Sequence, residues 1–373
     1  MFNRFKKPTF GLVLNGGGSR GAYQLGVLLA LKKYGLYDRC KGIAGGSVGS
    51  FVALIYLLDD PIKAIDIWSK IDSSVIKSPK PGNIFSRIPL NGVGYYSREG
   101  VINFINQNFD LESYIHPSIP VYISTAKEST VLIDKKTKEV VEEDEGDNYF
   151  DSEAFIEQQM NDSGEKKPQK KVKTKEKYVY SPVYFKLSDY TKDEVMKILL
   201  ASSAIPLVYD KVEINGDYYV DCLRADNEPY KALDDEEFDM LFVIPLTRKH
   251  NKMDYSDYKV PVVDFELPSL INYVSTLSLD MIDFEKSKTD DYIIKGYVTA
   301  KAIFDRMKKE HVLCKPVVHH WFRKKKAKDL INKVYSLKTL NIDEESLHFE
   351  RWTMDRVLND YKKKGRKLNE RRN

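Results

Sequence analysis

Two apolar runs near the N-terminus each end in glycines and lead straight into an apolar helix, and this repeated unit constrains the fold more than any other feature. Residues 9–15 run into Gly16-Gly17-Gly18, after which Gly21–Lys33 carries Ala22, Leu25, Leu28 and Leu29 at helical spacing and stops before Gly35. Residues 40–44 run into Gly45-Gly46-Ser47-Val48-Gly49, and residues 48–58 are apolar on nearly every side, as in a helix buried inside a domain. Short strands without polar alternation are buried on both faces, as in a parallel sheet covered by helices. Residues 121–126 and 240–245 read as further strands of that kind. Thr191-Lys192-Asp193-Glu194 is a capping box opening a helix that reaches Ala201, and Asn215-Gly216 predicts a tight hairpin between residues 211–214 and 217–220. The expected fold is α/β, with three layers around a central, mostly parallel sheet and a helical C-terminal extension.

The 373 residues suffice for one large α/β domain with appendages. With 42% hydrophobic and 31% charged residues, the chain is neither mainly disordered nor embedded in a membrane. Lys plus Arg number 59 against 55 for Asp plus Glu, and a net charge of +4 creates no field that would gather nucleic acid, so none is expected as a partner. Three scattered cysteines, Cys40, Cys222 and Cys314, form neither a disulfide framework nor a metal-binding pair and suit a reducing compartment. The basic N-terminus meets a glycine-rich loop instead of an apolar signal core, and stretches 25–31 and 51–58 fall short of the roughly 18–20 residues of a membrane span. A cytoplasmic protein is expected.

Two regions stand apart. An acidic block from Glu142 to Asp147 precedes a lysine run from Lys166 to Lys177, and opposite-sign blocks with few apolar residues read as an exposed, flexible insertion over 134–177. Residues 8–250 are expected to form the main domain, and 251–373 a helical, increasingly basic extension. That extension holds Trp321, Phe322, Arg323, Lys324, Lys325 and Lys326, an aromatic and cationic cluster suited to peripheral contact with an anionic membrane, which would be the inner face. A solvated helix end is its plainer explanation.

The chemistry concentrates at the two glycine loops. In G-x-S-x-G the serine occupies a strained strand-to-helix turn that lifts its hydroxyl out of the sheet, while the helix N-terminus supplies amide donors and a positive dipole. Ser47 is therefore the candidate nucleophile, with Gly45 and Gly49 supporting the turn. Gly16-Gly17-Gly18-Ser19-Arg20-Gly21 exposes consecutive backbone N–H groups, which suits a phosphate or a developing oxyanion. It also matches G-x-G-x-x-G, but a dinucleotide site needs an acidic residue at the end of the second strand, where this chain has Gly45-Gly46-Ser47. A nucleophilic serine needs a base, and Asp221 ends the second hairpin run. An isolated aspartate titrates near pH 3.9, so it serves as a base only where its pocket raises its basicity. His250, His311, His319 and His320 would fit the chain order of an ordinary hydrolase triad, yet none follows an obvious final strand. No metal-ligand spacing appears.

Gly16 to Gly21, Gly45 to Gly49, Ala201-Ser202-Ser203-Ala204-Ile205-Pro206 and Asp221 with Asn227-Glu228-Pro229 occur together and in this order. In this the chain resembles the patatin-like phospholipases over residues 8–245. The resemblance implies the patatin-like three-layer fold and an acyl hydrolase that needs no cofactor, no metal and no catalytic histidine. It makes Ser47 the nucleophile and Asp221 the base. Backbone amides of Gly16, Gly17, Gly18 and Val48 would form the oxyanion hole, supported by Arg20 bracing the loop and by Gly21. The substrate implied is a lipid carboxylic ester, a phospholipid or lysophospholipid. A general carboxylesterase or triacylglycerol lipase would use the same dyad.

One departure weighs against this. The family usually places glycine after the base aspartate, whereas this chain reads Asp221-Cys222-Leu223. If that glycine serves a positive φ angle, cysteine there costs about 1 kcal/mol and displaces the carboxylate. A catalytically weakened protein that only binds lipid or a partner is the corresponding expectation.

Overall fold

The computed structural model describes residues 5–80, 94–134, 174–248, 255, 257–270, 283–313, 315–316 and 334–369. Residues 1–127 and 181–373 form one compact unit, and 128–180 form a second. Its strands are β1 (Phe5–Lys6), β2 (Phe10–Leu14), β3 (Cys40–Gly46), β4 (Val121–Asp134), β5 (Thr174–Lys186), β6 (Val212–Ile214) and β7 (Asp217–Val220). The chain continues through β8 (Met240–Ile244), β9 (Val262–Asp264), β10 (Lys315–Pro316) and β11 (Val334–Tyr335). β1 and β10 pair antiparallel on their own. Among the described residues the main sheet has the order β11-β9-β8-β2-β3-β4-β7-β6, with β5 beside β4. Pairing is parallel from β11 through β4, and antiparallel in the β6–β7 hairpin. That hairpin turns at Asn215 (φ 53°) and Gly216 (φ 86°), the two left-handed positions the Asn-Gly pair predicts.

Successive side chains of a strand point to opposite faces, and β2 shows what covers each. Leu12 and Leu14 join the large core formed with helices α1 (Gly21–Lys33) and α2 (Val48–Leu57). Val13 belongs to a second cluster with Ala44, Leu241 and Val243, capped by Leu233, Tyr255 and Tyr258. β2 is thus apolar at every position because neither face sees water. Helices α3 (Pro61–Trp68), α4 (Ser73–Ile76), α5 (Glu99–Asn108), α6 (Leu111–Tyr114) and α7 (Lys192–Ser202) follow along the chain. The α7 capping box is present in both directions, Thr191 to the Glu194 amide and Glu194 back to Thr191. The C-terminal region is helical, as expected, with α8 (Lys286–Lys309) and α9 (Met354–Asn369).

The chain after residue 250 does more than extend the domain. It contributes β9 and β11 to the same sheet, and α8 packs along α1. The helices cross where Gly26 lies against the Ile293 carbonyl and Gly296 against the Tyr23 carbonyl, so close that a Cβ at either position would overlap backbone. Residues 8–127, 181–250 and 251–373 all fall within the first compact unit. Most of the charged insertion, 135–173, and the whole of 321–326 lie outside the described residues. No helix among the described residues is long and apolar enough to cross a membrane.

β2 is the switch point of the sheet, with β3 on one side and β8 on the other. In open α/β sheets a crevice forms there, at the carboxyl ends of the strands. Both glycine loops emerge at that crevice.

Candidate active site

Ser47 links β3 to α2 with φ 50° and ψ −123°, a left-handed φ rarely adopted by any residue with a side chain. The surroundings force this turn. At Gly49 an added Cβ would come within 2.1 Å of the Leu14 carbonyl, so the helix starts directly against β2. The Ser47 amide donates to Ser202 Oγ (2.9 Å), whose hydroxyl donates to the Ser124 carbonyl (2.7 Å). α7 and β4 thereby fix the turn from outside.

The Ser47 hydroxyl donates to Asp221 Oδ2 at 2.7 Å. Asp221 is itself held on two sides, its backbone N–H donating to the Ala204 carbonyl (3.0 Å) and its Oδ1 accepting from the Leu223 amide (2.9 Å). Burial pushes the Asp221 carboxyl up to about 6, against opposing hydrogen bonds from Leu223 and Ser47 and the charge of Arg98. That supplies the raised basicity an isolated aspartate lacks. No histidine hydrogen bonds to Ser47 or Asp221 among the described residues. His311 is exposed beyond α8, and His250, His319 and His320 lie outside the described residues.

The backbone at Cys222 lacks the left-handed strain considered for it. Cys222 is absent from the residues of positive φ and begins a short 3-10 turn, Cys222–Arg224. It therefore carries no left-handed strain, and the carboxylate before it stands within hydrogen-bond reach of Ser47. Its buried thiol packs against Gly46, where a Cβ would come within 2.6 Å of the sulfur.

The first glycine loop lies alongside. At Gly16 a Cβ would stand 2.8 Å from Ser47 Cβ and 2.5 Å from Asn227 Oδ1, so the close approach of the two loops requires glycine. Gly18 has φ 59°, which glycine adopts without cost. Among the described residues, neither Gly17 nor Gly18 donates its amide in a hydrogen bond. Val48 opens α2, where the first amides have no helical acceptor. Gly21 donates to the Gly18 and Ser19 carbonyls. Arg20 reaches the loop through its backbone N–H, which donates to the Gly17 carbonyl (3.3 Å), while Nη1 is buried without a hydrogen-bond partner among the described residues.

Behind the loops lies a buried network without a motif in the sequence. Arg248 pairs with Glu228, Asp264 and Glu266, and Glu228 accepts from Asn15 Nδ2 (2.7 Å). Burial pushes Glu228 up to about 7 despite Arg248, with Asp264 adding to the rise. In front of Ser47 is a narrow cavity of about 80 Å³, bounded by Gly18 and Val48 and lined by Phe51, Trp68, Val75, Phe104, Ile205 and Phe284 among others. Two larger hollows, about 500 and 480 Å³, are polar surface features around Gln107 and Asn108 that include neither Ser47 nor Asp221.

A serine hydroxyl on a carboxylate, beside unpaired glycine amides and an apolar cavity, is equipped for acyl transfer. A family model described as patatin-like phospholipase matches residues 12–234, more than half of the chain. The chain belongs to the patatin-like phospholipase family. The match takes in both glycine loops, Ser47 and Asp221. Two yeast proteins named lysophospholipase NTE1 also show local similarity. That of Meyerozyma guilliermondii is 51% identical over 49 residues, 13% of this chain and 3% of the relative. That of Debaryomyces hansenii is 49% identical over 57 residues, 15% of this chain and 4% of the relative. The shared stretch is thus a small fraction of either relative's length. Among solved structures, VipD from Legionella pneumophila aligns over 92% of this chain and 74% of its own, at 12% identity and a TM-score of 0.33.

Thr247, Arg248, Asp264 and Glu266 have no individual signature in the sequence, whereas Glu228 falls within the 227–229 segment that carries the resemblance. Ser202 falls within the 201–206 segment that carries the resemblance, which is the one signal that pointed near it.

Proposed function

We propose that this protein hydrolyses the carboxylic ester bonds of lipids, phospholipids or lysophospholipids, through an acyl-Ser47 intermediate with Asp221 as base. The observation that carries the reading is the 2.7 Å hydrogen bond from Ser47 Oγ to the buried Asp221 carboxylate at the mouth of an apolar cavity. The name lysophospholipase borne by the two yeast relatives accords with it.

The acyl chain enters the cavity and places its carbonyl carbon beside Ser47. Ser47 Oγ attacks as its proton passes to Asp221, and the carbonyl oxygen becomes an oxyanion met by the amides of Gly17, Gly18 and Val48. Collapse expels the alcohol, which takes the proton from Asp221 and leaves the acyl group on Ser47. Water then attacks the acyl carbon, giving its proton to Asp221. Loss of fatty acid returns that proton to Ser47. Each half of the reaction moves one proton onto Asp221 and one off it, which suits a base near pH 6 that neither holds a proton permanently nor refuses one. Asp221 alone suffices for them, with no cofactor.

The test is fatty-acid release from phospholipid vesicles by intact protein, Ser47→Ala and Asp221→Asn, alongside a lysophospholipid, a triacylglycerol emulsion and a soluble short-chain ester. Release by the intact protein, lowered at least about 10³-fold by each substitution, is expected. Turnover of the neutral esters alone would move the substrate to simple esters or triacylglycerol. Absence of release from every substrate would favour the binding-protein reading.

A further inference from the structure

Asn227 belongs to neither the dyad nor the oxyanion amides, yet it touches the loops that carry both. Its Nδ2 donates to the Gly16 carbonyl (3.1 Å) and to Thr247 Oγ1 (2.8 Å), and the Thr247 hydroxyl donates to the same carbonyl (3.1 Å). Its Oδ1 accepts from the Cys222 thiol (3.5 Å), one residue past the base. This pattern fixes the amide's orientation. Turned over, Asn227 would set its oxygen against the Gly16 carbonyl and leave its NH₂ facing the sulfur.

The consequence lies in the geometry of the Gly16–Gly17 peptide. The chain has no cis peptide bonds among the described residues, so the Gly16 C=O and the Gly17 N–H point in opposite directions from one plane. Two donors on the carbonyl therefore set the direction of the amide. Glycine on both sides leaves this peptide freer to turn than one between residues with side chains, and without an anchor it would rotate. Donor direction is what an oxyanion site must hold fixed before the charge develops.

We propose that Asn227, assisted by Thr247, is a positioning residue that holds the Gly16–Gly17 peptide so that the Gly17 N–H faces the oxyanion. The inference rests on the hydrolase reading above and deepens it. Cys222 gives the device a feature of its own. The residue that replaces the usual glycine after the base donates to the same asparagine, so one side chain ties the base turn to the oxyanion loop.

The experiment measures kcat and KM of full-length protein, Asn227→Ala and Thr247→Val on a soluble p-nitrophenyl ester. It adds the inhibition constant of a trifluoromethyl ketone of the same chain length, whose adduct places an oxyanion in the hole, and the thermal unfolding midpoint. For Asn227→Ala we expect kcat to fall about 10–100-fold with KM within about twofold, and the ketone to weaken in parallel. Thr247→Val removes one of the two donors and should lower kcat about 3–10-fold in the same pattern. It carries the test if Asn227→Ala does not fold. Folded variants with unchanged kcat and ketone affinity, or with a loss confined to KM, overturn the proposal. Wild-type protein that turns over no ester overturns the hydrolase reading, and this inference with it. Wild-type turnover with unaffected variants overturns this inference alone.

Discussion

Asp221, the proposed base, is a carboxylate whose burial raises its basicity at a stability cost. Its proton is held up to about pH 6 in the folded chain, chiefly by burial, and only to about pH 3.9 in the unfolded chain. Between those values the folded state keeps a proton that the unfolded state has lost, so rising pH favours unfolding. Above pH 6 the penalty is complete, on the order of 2–3 kcal/mol. Asp221→Asn is therefore expected to be more stable than wild type at pH 8 and to lose that advantage at pH 4, as read from urea unfolding at both values. In the wild-type protein kcat/KM should rise with pH through about 6, because the proposed base must be ionised in the free enzyme. Glu228, held up to about 7, titrates nearby, so Glu228→Gln should leave a rising limb near 6 that belongs to Asp221. A profile flat from pH 5 to 8 would contradict the assignment. Ser47 and Asp221 were legible in the sequence, one through its glycine frame and the other through the resemblance. The absence of strain at Cys222 was not legible. A backbone angle depends on how the Cys222–Arg224 turn packs, and no residue pattern there encodes it.

Elements explain why the site stays fixed and why its boundaries were harder to read. β2 and β8 are continuous apolar runs because both faces are covered, and α2 is apolar on nearly every side for the same reason. Such segments stand out in a sequence. β9 and β11 do not, at three and two residues, although they extend the same sheet. α8 reads as an ordinary amphipathic helix, and nothing in its own sequence says that α1 is its partner. That pairing appears only where Gly26 and Gly296 meet and where Phe304 packs against Tyr34, Phe242 and Phe265. Removing everything after residue 250 would uncover Ile293, Tyr297, Ala300, Ile303, Phe304 and Met307 contacts on α1 and the sheet. At about 1.5–3 kcal/mol for each large side chain, the loss rivals the whole stability of a typical domain. A chain of residues 1–250 should accordingly show no cooperative thermal transition by circular dichroism. A transition matching that of the full chain would show that the C-terminal region is dispensable.

At the scale of the molecule, chemistry gathers at one end of the parallel strands. β2 delivers Gly16–Gly18, β3 delivers Ser47, β7 delivers Asp221, and β8 and β9 deliver Arg248 and Asp264 behind them. Chain positions 15, 228, 248 and 264 meet in one buried polar network, which no local pattern announces because each residue alone is an ordinary polar side chain. The two glycine loops were legible because each is local and each needs small residues. The resemblance marked Asn227 and Glu228, but not the bridge and the network they enter, which exist only once the sheet has brought distant segments together. The central claim is that Ser47 carries the acyl group during turnover. Its most direct test is to mix the protein with a long-chain p-nitrophenyl ester, quench in acid within the first turnovers, and locate the added acyl mass by peptide mapping. The account predicts acyl on the peptide containing Ser47, absent in Ser47→Ala. Ester turnover with no acyl on Ser47, or with acyl on Cys222 instead, would contradict it.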